Sequence, residues 1–139
     1  TIMTNSAENN GNIFGAVDYL NHKKDIINTG VTIKEYEGGI SYHGKSMTID
    51  DDIAIVGSFN MDMRSAYIDT ELMLVINSKD INKQLKASME EYEKKAATVK
   101  NETEYSHIPE GMKMKELSDK KKNIKAWFGW AMNGLRFLF

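Results

Sequence analysis

The 139-residue sequence has no cysteine and only one proline, Pro109. The absence of cysteine excludes a disulfide framework and cysteine-ligated zinc within these residues. No run of 18 or more apolar residues occurs, so the pattern of a conventional membrane-spanning helix is missing. The opening residues also lack the pattern of a secretory signal. The length suits one domain with an appendage and is too short for two full catalytic domains.

Charge is distributed unevenly along the chain. Residues 113–139 contain six lysines and one arginine against two acidic residues, a net charge of +5. The other 112 residues carry 11 basic and 18 acidic side chains, a net charge of −7. An acidic body is not typical of a nucleic-acid groove, so we expect no nucleic-acid partner. The basic end favours an anionic surface.

Hydrophobic periodicity and turn residues predict alternating strands and helices. The predicted elements are a strand at Ile2–Asn5, a helix from Ile13 to about Thr29, an extended segment at Val31–Tyr36, strands at Tyr42–Asp50, Ile53–Phe59 and Thr70–Ile76, and a helix after Ser78. The apolar run from Thr70 to Ile76 indicates a strand buried on both faces. The predicted fold class is α/β, a mixed β-sheet flanked by helices. Because Ile2 already begins a strand, we expect the chain to be part of a longer protein.

The second half of the chain separates into segments by composition. An apolar stripe of core residues is expected on the helix after Ser78, at Ile81, Leu85, Met89, Tyr92 and Ala96. The following residues are polar up to Gly111 and predict a linker, and a helix is expected from Ser118 onward. The predicted division is a catalytic domain at 1–98, a polar linker at 99–117 and a basic, aromatic, amphipathic helix at 118–139.

Two neighbouring predicted strands carry polar side chains at the ends that a hairpin would bring together. Side chains two residues apart in a strand share a face. His43 and Lys45 should therefore point the same way, and so should Ser58 and Asn60. A tight turn at residues 51–52 brings the start of the first strand beside the end of the second. An imidazole, an ammonium, a hydroxyl and a carboxamide would then converge, a combination suited to binding and attacking a phosphate.

Two carboxylates near this edge are expected to have different roles. Asp50 has the opposite parity from His43 and Lys45, which predicts a structural role in hydrogen bonding across the sheet. Glu71 begins a later strand and is predicted to reach the second nitrogen of the His43 imidazole. A carboxylate in that position would fix the tautomer of the ring and favour the imidazolium.

The spacing of these residues resembles a known signature. His43-Gly44-Lys45, then Asp50 after four residues, then Gly57-Ser58-Phe59-Asn60 after six more, is similar to the HxK(x)4D(x)6GSxN (HKD) motif of the phospholipase D superfamily. The segments Gly30–Tyr36 and Asn60–Ser65 resemble the flanking sequences of cardiolipin synthases. The similarity covers roughly residues 31–97 and implies a phospholipase D-like half domain.

The resemblance implies a metal-independent phosphodiesterase or phosphatidyltransferase that needs no cofactor. One motif histidine attacks phosphorus to form a phosphohistidine, and a second protonates the leaving alcohol. His43, Lys45, Asp50, Ser58, Asn60 and Glu71 are the implied site residues. Because the chain contains one such motif, the second half-site is expected from upstream sequence or from a second copy of the chain.

The expected substrate is an anionic phospholipid, with phosphatidylglycerol converted to cardiolipin and glycerol. The basic aromatic helix predicts contact with a membrane surface through Trp127, Phe128, Trp130, Phe137 and Phe139, or docking on the missing half of the protein. The predicted location is therefore peripheral, on the cytoplasmic membrane.

Two alternatives remain open from the sequence. The chain is a homodimeric nuclease of the same superfamily, or it is a non-catalytic module that needs another half-site. The acidic body and the Asn60–Ser65 segment weigh against the nuclease, and the intact His43, Lys45 and Asn60 weigh against a degenerate site.

Overall fold

A computed structural model describes residues 1–134 of the chain. Its elements are β1 (Ile2–Asn5), α1 (Ile13–Asn28), β2 (Ile33–Tyr36), β3 (Ser46–Ile49), β4 (Ile53–Gly57), α2 (Met63–Tyr67), β5 (Met73–Asn77), α3 (Lys79–Glu93), β6 (Ala96–Val99), β7 (Tyr105–His107) and α4 (Asp119–Gly134). Two compact units are present. Of the described residues, the first consists of 1–42 and 92–134, and the second is His43–Glu91. The α/β class is confirmed.

The first unit is built on a four-stranded sheet in the order β1-β2-β6-β7. Strands β1 and β2 are parallel and are connected by α1, whereas β6 and β7 are antiparallel to their neighbours. The core is formed by small and branched side chains, including Val17 of α1, Ile33 of β2 and Ala97 of β6. The sheet is therefore mixed, as predicted.

Helix α1 begins and ends where its local sequence requires. The Asn12 side chain accepts hydrogen bonds from the backbone N–H groups of Phe14 and Gly15, at 3.1 and 3.2 Å. This N-cap satisfies amide groups that have no partner within the helix. At the other end Gly30 has φ of 82°, a conformation that glycine adopts without a steric cost.

The segment predicted as a polar linker contains two strands of the sheet. Residues 99–117 include the end of β6 and all of β7, and Ala96, predicted on the α3 stripe, lies in β6 instead. The prediction failed because the contacts that hold β7 are polar. The Tyr105 hydroxyl donates to the buried Glu35 carboxylate at 2.5 Å, so low hydrophobicity did not indicate a loop.

Glu35 is the centre of a buried polar network in the first unit. Its carboxylate accepts from the Tyr19 hydroxyl at 2.6 Å and pairs with the Lys23 ammonium at 2.8 Å. Lys23 is also buried. Burial, together with the charge of Glu35, raises the pKa of both Tyr19 and Tyr105 above its usual range. The buried Glu35 carboxylate and Lys23 ammonium therefore have partners that offset their loss of water.

Helix α4 belongs to the first unit and is held there by polar contacts. The buried Lys121 ammonium donates to the carbonyls of Ala7, Glu8 and Asn10 at 2.8, 2.6 and 2.9 Å. The Asn21 side chain donates to the Gly129 carbonyl at 3.0 Å. Lys121 therefore does not belong to the exposed basic face that the sequence indicated. Within residues 1–134, no helix has the length and apolar character needed to cross a bilayer.

The aromatic side chains of α4 lie on the solvent side. Trp127 and Trp130 are 82 % and 89 % exposed, and Phe128 is also exposed. The predicted membrane contact also included Phe137 and Phe139, which lie outside the described residues.

The second unit contains a three-stranded antiparallel sheet in the order β3-β4-β5. Strand β5 was predicted to be buried on both faces, but it forms an edge of this sheet, and Leu74 and Val75 are 57 % and 62 % exposed. Helix α3 also differs from the prediction, because Ile81 is exposed and the buried side chain is Asn82. The Asn82 amide donates to the Ile53 carbonyl at 2.6 Å, which links the helix to β4.

Candidate functional site

The predicted hairpin is confirmed, and it lies in the second unit. Strands β3 and β4 pair from Ser46 with Val56 to Ile49 with Ile53, and the turn between them spans residues 50–52. The pairing extends beyond β3, since the Gly57 N–H donates to the Lys45 carbonyl at 3.1 Å. The chain just before β3 therefore lies beside the end of β4, although His43 and Lys45 precede β3 rather than lying within it.

Gly57 is required by the close approach of β5. A Cβ atom at this position would lie 2.2 Å from the Leu72 carbonyl oxygen, a distance that no side chain tolerates. The adjacent Ser58 N–H donates to the same carbonyl at 3.0 Å. The absence of a side chain at Gly57 thus allows the end of β4 to sit against the segment that leads into β5, and this contact positions Ser58.

His43 and Lys45 are in direct contact. The Lys45 Nζ atom lies 3.0 Å from Nδ1 and 2.9 Å from Nε2 of the His43 ring, and it donates to the His43 carbonyl at 3.1 Å. His43 is exposed and Lys45 is half-buried. A cation and an imidazole therefore face solvent side by side, where a phosphate oxygen can bind the ammonium next to the ring.

Glu71 contacts two serine hydroxyls. Ser58 Oγ donates to Glu71 Oε2, and Ser65 Oγ donates to Oε1 at 2.7 Å. The sequence predicted a bond from Glu71 to His43, but in this structure the carboxylate is engaged by the serines and both ring nitrogens of His43 lie at Lys45. The reason is geometric. Glu71 immediately precedes Leu72, whose backbone pairs with Ser58, so the nearest donors to its carboxylate are hydroxyl groups.

The hydrogen bond from Ser58, followed by that from Ser65, holds the pKa of Glu71 below its usual range. Partial burial acts in the opposite direction, and the positive charge of Lys45 lowers the pKa further. Glu71 is therefore an anion at neutral pH, and Lys45 is close enough to interact with it electrostatically.

Asn60 is held through Ser65. Ser65 Oγ accepts from the Asn60 backbone N–H at 3.3 Å and from its Nδ2 at 3.4 Å. Ser65 was not among the predicted site residues. A sequence signal existed, because Asp62 lies three residues before it, and the Asp62 carboxylate caps α2 by accepting from the Ser65 N–H at 2.7 Å.

Asp50 lies at the turn, away from this group of side chains. It has φ of 48°, in the left-handed region, and its backbone carbonyl accepts from Lys86 Nζ at 2.6 Å. Lys86 also binds the neighbouring Asp51 carboxylate at 2.7 Å, and this contact lowers the pKa of Asp51. The observed contact of Asp50 is thus made by its main chain, whereas the predicted one was a bond across the sheet.

The structure therefore links five of the six predicted residues into one group: His43, Lys45, Ser58, Asn60 and Glu71. We call this group, together with Ser65, the half-site. Within the described residues, no cluster of three or more histidine or acidic side chains is arranged to hold a metal ion.

Comparison with known proteins identifies the family of this chain. Residues 1–92 match the family described as cardiolipin synthase, PLD-like domain. Because the match covers more than half of the 139 residues, the chain belongs to this family.

Individual relatives have the same description. The chain is 35% identical over 68 residues to cardiolipin synthase A of Wigglesworthia glossinidia brevipalpis, and 33% identical over 78 residues to cardiolipin synthase A of Yersinia pestis bv. Antiqua (strain Angola). These alignments cover 49% and 56% of this chain but only 14% and 16% of the relatives. The chain therefore corresponds to a small part of each curated relative.

Proposed function

We propose that this chain supplies one half of a phosphodiester-transfer site acting on phospholipids, with phosphatidylglycerol as substrate and cardiolipin and glycerol as products. The proposal is supported by membership of the cardiolipin synthase PLD-like family. The observation that carries it is the half-site, in which Lys45 lies within 3.0 Å of both ring nitrogens of His43 while Ser58 and Asn60 are tied to Glu71 and Ser65.

The proposed reaction has two displacements at one phosphorus atom. In the first, a histidine nitrogen forms a bond to phosphorus, the bond from phosphorus to the glycerol oxygen breaks, and a second histidine gives its proton to that oxygen. In the second, the hydroxyl of another phosphatidylglycerol attacks phosphorus, its proton returns to the second histidine and the bond to the first is broken. Lys45 and Asn60 bind the non-bridging oxygens and stabilise the charge in the transition state.

The reaction needs two histidines, and this chain provides His43 to the pair. His22 is followed by Lys24 at the HxK spacing, but Thr29 stands where the motif has aspartate, and His107 has no lysine two residues on. We assign His43 the acid and base role and assign the nucleophile to the second half-site. If this assignment is correct, a phosphohistidine trapped during turnover lies on the histidine of the second half-site and not on His43. Locating the phosphorylated histidine tests the assignment.

The first experiment compares His43→Ala with the unchanged chain on vesicles of phosphatidylglycerol, in both cases with the second half-site present. We expect turnover to fall by about a thousandfold or more, because the proton carrier is removed. Formation of cardiolipin and release of glycerol are measured, and circular dichroism checks that the fold is intact.

His107→Ala is the matched control, because His107 is exposed and belongs to β7 of the other unit. It should retain full activity. Normal turnover by His43→Ala would overturn the proposed mechanism, and faster hydrolysis of DNA than of phospholipid would favour the nuclease.

We also propose that α4 brings the protein to an anionic membrane surface. Trp127 and Trp130 lie three residues apart and are almost fully exposed, with the exposed Lys122 and Lys125 on the same helix. Indole rings prefer the headgroup level of a bilayer, and lysines are attracted to its negative charge. A membrane-bound substrate requires such an approach.

Replacement of both tryptophans is a better test than removal of the helix, because Lys121 of α4 also holds the residues that follow β1. We expect Trp127→Ala with Trp130→Ala to weaken binding to vesicles containing phosphatidylglycerol about tenfold, since two aromatic side chains no longer leave water. Tyr67→Ala is the control, because Tyr67 is 78 % exposed but belongs to the second unit. Unchanged co-sedimentation of the double variant would contradict the proposal and favour docking of α4 on another protein segment.

A further inference from the structure

Ser65 is one of the few buried polar residues of the second unit, and it is the third residue of the five-residue helix α2. It is 5 % exposed. Its backbone N–H is bound by Asp62 at 2.7 Å, which fixes the position of the residue and leaves the hydroxyl free to act elsewhere. The hydroxyl has one hydrogen to donate and two lone pairs to accept.

The hydroxyl of Ser65 uses this capacity on two different residues of the half-site. It donates to Glu71 Oε1 at 2.7 Å, and it accepts from the backbone N–H and the Nδ2 of Asn60 at 3.3 and 3.4 Å. The Asn60 amide is therefore oriented by a group whose own direction is set by the Glu71 carboxylate. Without the Glu71 carboxylate, the Ser65 hydroxyl could rotate. Without the Ser65 hydroxyl, the Glu71 carboxylate would have no link to Asn60.

We infer that Ser65 is a positioning residue of the half-site, which couples the Asn60 carboxamide to the Glu71 carboxylate so that the amide is presented to phosphate in one orientation. This inference rests on the proposed function for the identity of the ligand. Ser58 occupies the equivalent place on the other oxygen of Glu71. The carboxylate thus holds two hydroxyls, and through Ser65 it reaches Asn60, which is not its direct partner.

Alanine at position 65 removes the link but keeps the backbone contact to Asp62. The Glu71 carboxylate then loses one of the two serine hydrogen bonds that stabilise its charged form, so its pKa should rise. The Asn60 side chain loses its acceptor and should sample several orientations. A purely structural role of Ser65 would lower stability without either local change.

The test uses the full chain and two readouts that do not require turnover. The first is the titration of the Glu71 carboxyl carbon by NMR in protein labelled at glutamate. The second is the affinity for inorganic phosphate, followed through the Asn60 side-chain amide signals. For Ser65→Ala we expect a higher Glu71 pKa and about tenfold weaker phosphate binding, the size of one lost hydrogen bond to an ordered polar group.

Two further variants make the result specific. Ser65→Thr keeps the hydroxyl and should restore the Glu71 titration and most of the phosphate affinity. Ser88→Ala changes an exposed serine of α3 in the same unit and should leave both unchanged. Melting curves of all variants separate local effects from loss of the fold, and Ser65→Thr carries the test if Ser65→Ala does not fold.

An unchanged Glu71 titration together with unchanged phosphate affinity in folded Ser65→Ala would overturn the inference. Loss of both properties in Ser65→Thr as well would also overturn it, because the hydroxyl would then not be the determinant. The proposed function fails separately, when the unchanged chain binds phosphate through the half-site but phospholipid turnover does not depend on His43.

Discussion

At the residue scale, the half-site is organised by hydroxyl groups around one carboxylate. Glu71 accepts one hydrogen bond on each oxygen, from Ser58 and from Ser65. These contacts lower its pKa, so the folded protein favours the ionised form. The stability that Glu71 contributes is accordingly present above the pKa of the unfolded chain and is lost as the pH falls through the lower folded value.

Glu71→Gln tests this arrangement. The amide is the same size but offers one oxygen acceptor in place of two, so one serine loses its partner and the negative charge near Lys45 disappears. We expect turnover to fall about tenfold or more, with a small loss of stability at neutral pH.

Kinetics and denaturant unfolding measured from neutral pH down to acid check this expectation. The stability difference between the two proteins should disappear below the folded pKa of Glu71, where the natural side chain is protonated. A difference that stays constant across the whole range would show that the charge of Glu71 is not the cause. Unfolding of Glu71→Gln at neutral pH would assign Glu71 a structural role.

At the element scale, α4 is part of the first unit even though its sequence resembles an independent tail. Three backbone carbonyls between Ala7 and Asn10 bind the buried Lys121 ammonium. A charged donor with three acceptors stabilises the loop after β1 and the start of α4 together. Removal of that donor leaves carbonyl groups without a partner in a site that is largely closed to water.

Lys121→Met should therefore lower the free energy of unfolding by about 2 kcal/mol, since hydrogen bonds to a charged group are lost and not replaced. The matched control is Lys122→Met on the same helix. Lys122 is exposed and makes a 3.7 Å ion pair with the exposed Asp119, so its replacement should change stability by less than about 0.5 kcal/mol. Denaturant unfolding measures both, and equal values would show that the Lys121 contacts do not contribute.

At the scale of the whole molecule, the chain holds one half-site and an exposed apolar edge. Leu74 and Val75 of β5 are more than half exposed on a three-stranded sheet. The alignments cover 14% and 16% of the relatives. Most of each relative's sequence therefore lies outside the aligned region, and it is long enough to contain a second half-site.

We expect the specific activity of the isolated chain to depend on its concentration. If two copies complete the site, activity per chain should rise with concentration in parallel with the dimer fraction measured by sedimentation. Addition of His43→Ala chain should then suppress the activity of the unchanged chain, because mixed pairs lack one histidine. Activity independent of concentration would contradict assembly from two copies.

Local sequence determined the elements whose signals are local. Apolar spacing from Ile13 predicted α1 to within a residue or two, and the acidic turn after Ile49 predicted the hairpin on which the half-site is built. The motif spacing identified five residues that the structure links. Hydrogen bonds and strand pairing between residues close in sequence decide these features, so they can be predicted without the tertiary structure.

Tertiary structure decided which groups meet across longer distances. Only the pairing of Leu72 with Ser58 directs the Glu71 carboxylate to serine hydroxyls rather than to His43. The polar segment around Tyr105 forms a strand because its backbone pairs with β6 and the Tyr105 hydroxyl donates to the buried Glu35. In each case the partner is distant in sequence, and the stabilising contact is a polar one that hydrophobic periodicity does not record. The sequence by itself determined the motif spacing that resembles the phospholipase D superfamily, and the fold decided which hydroxyl groups the Glu71 carboxylate binds.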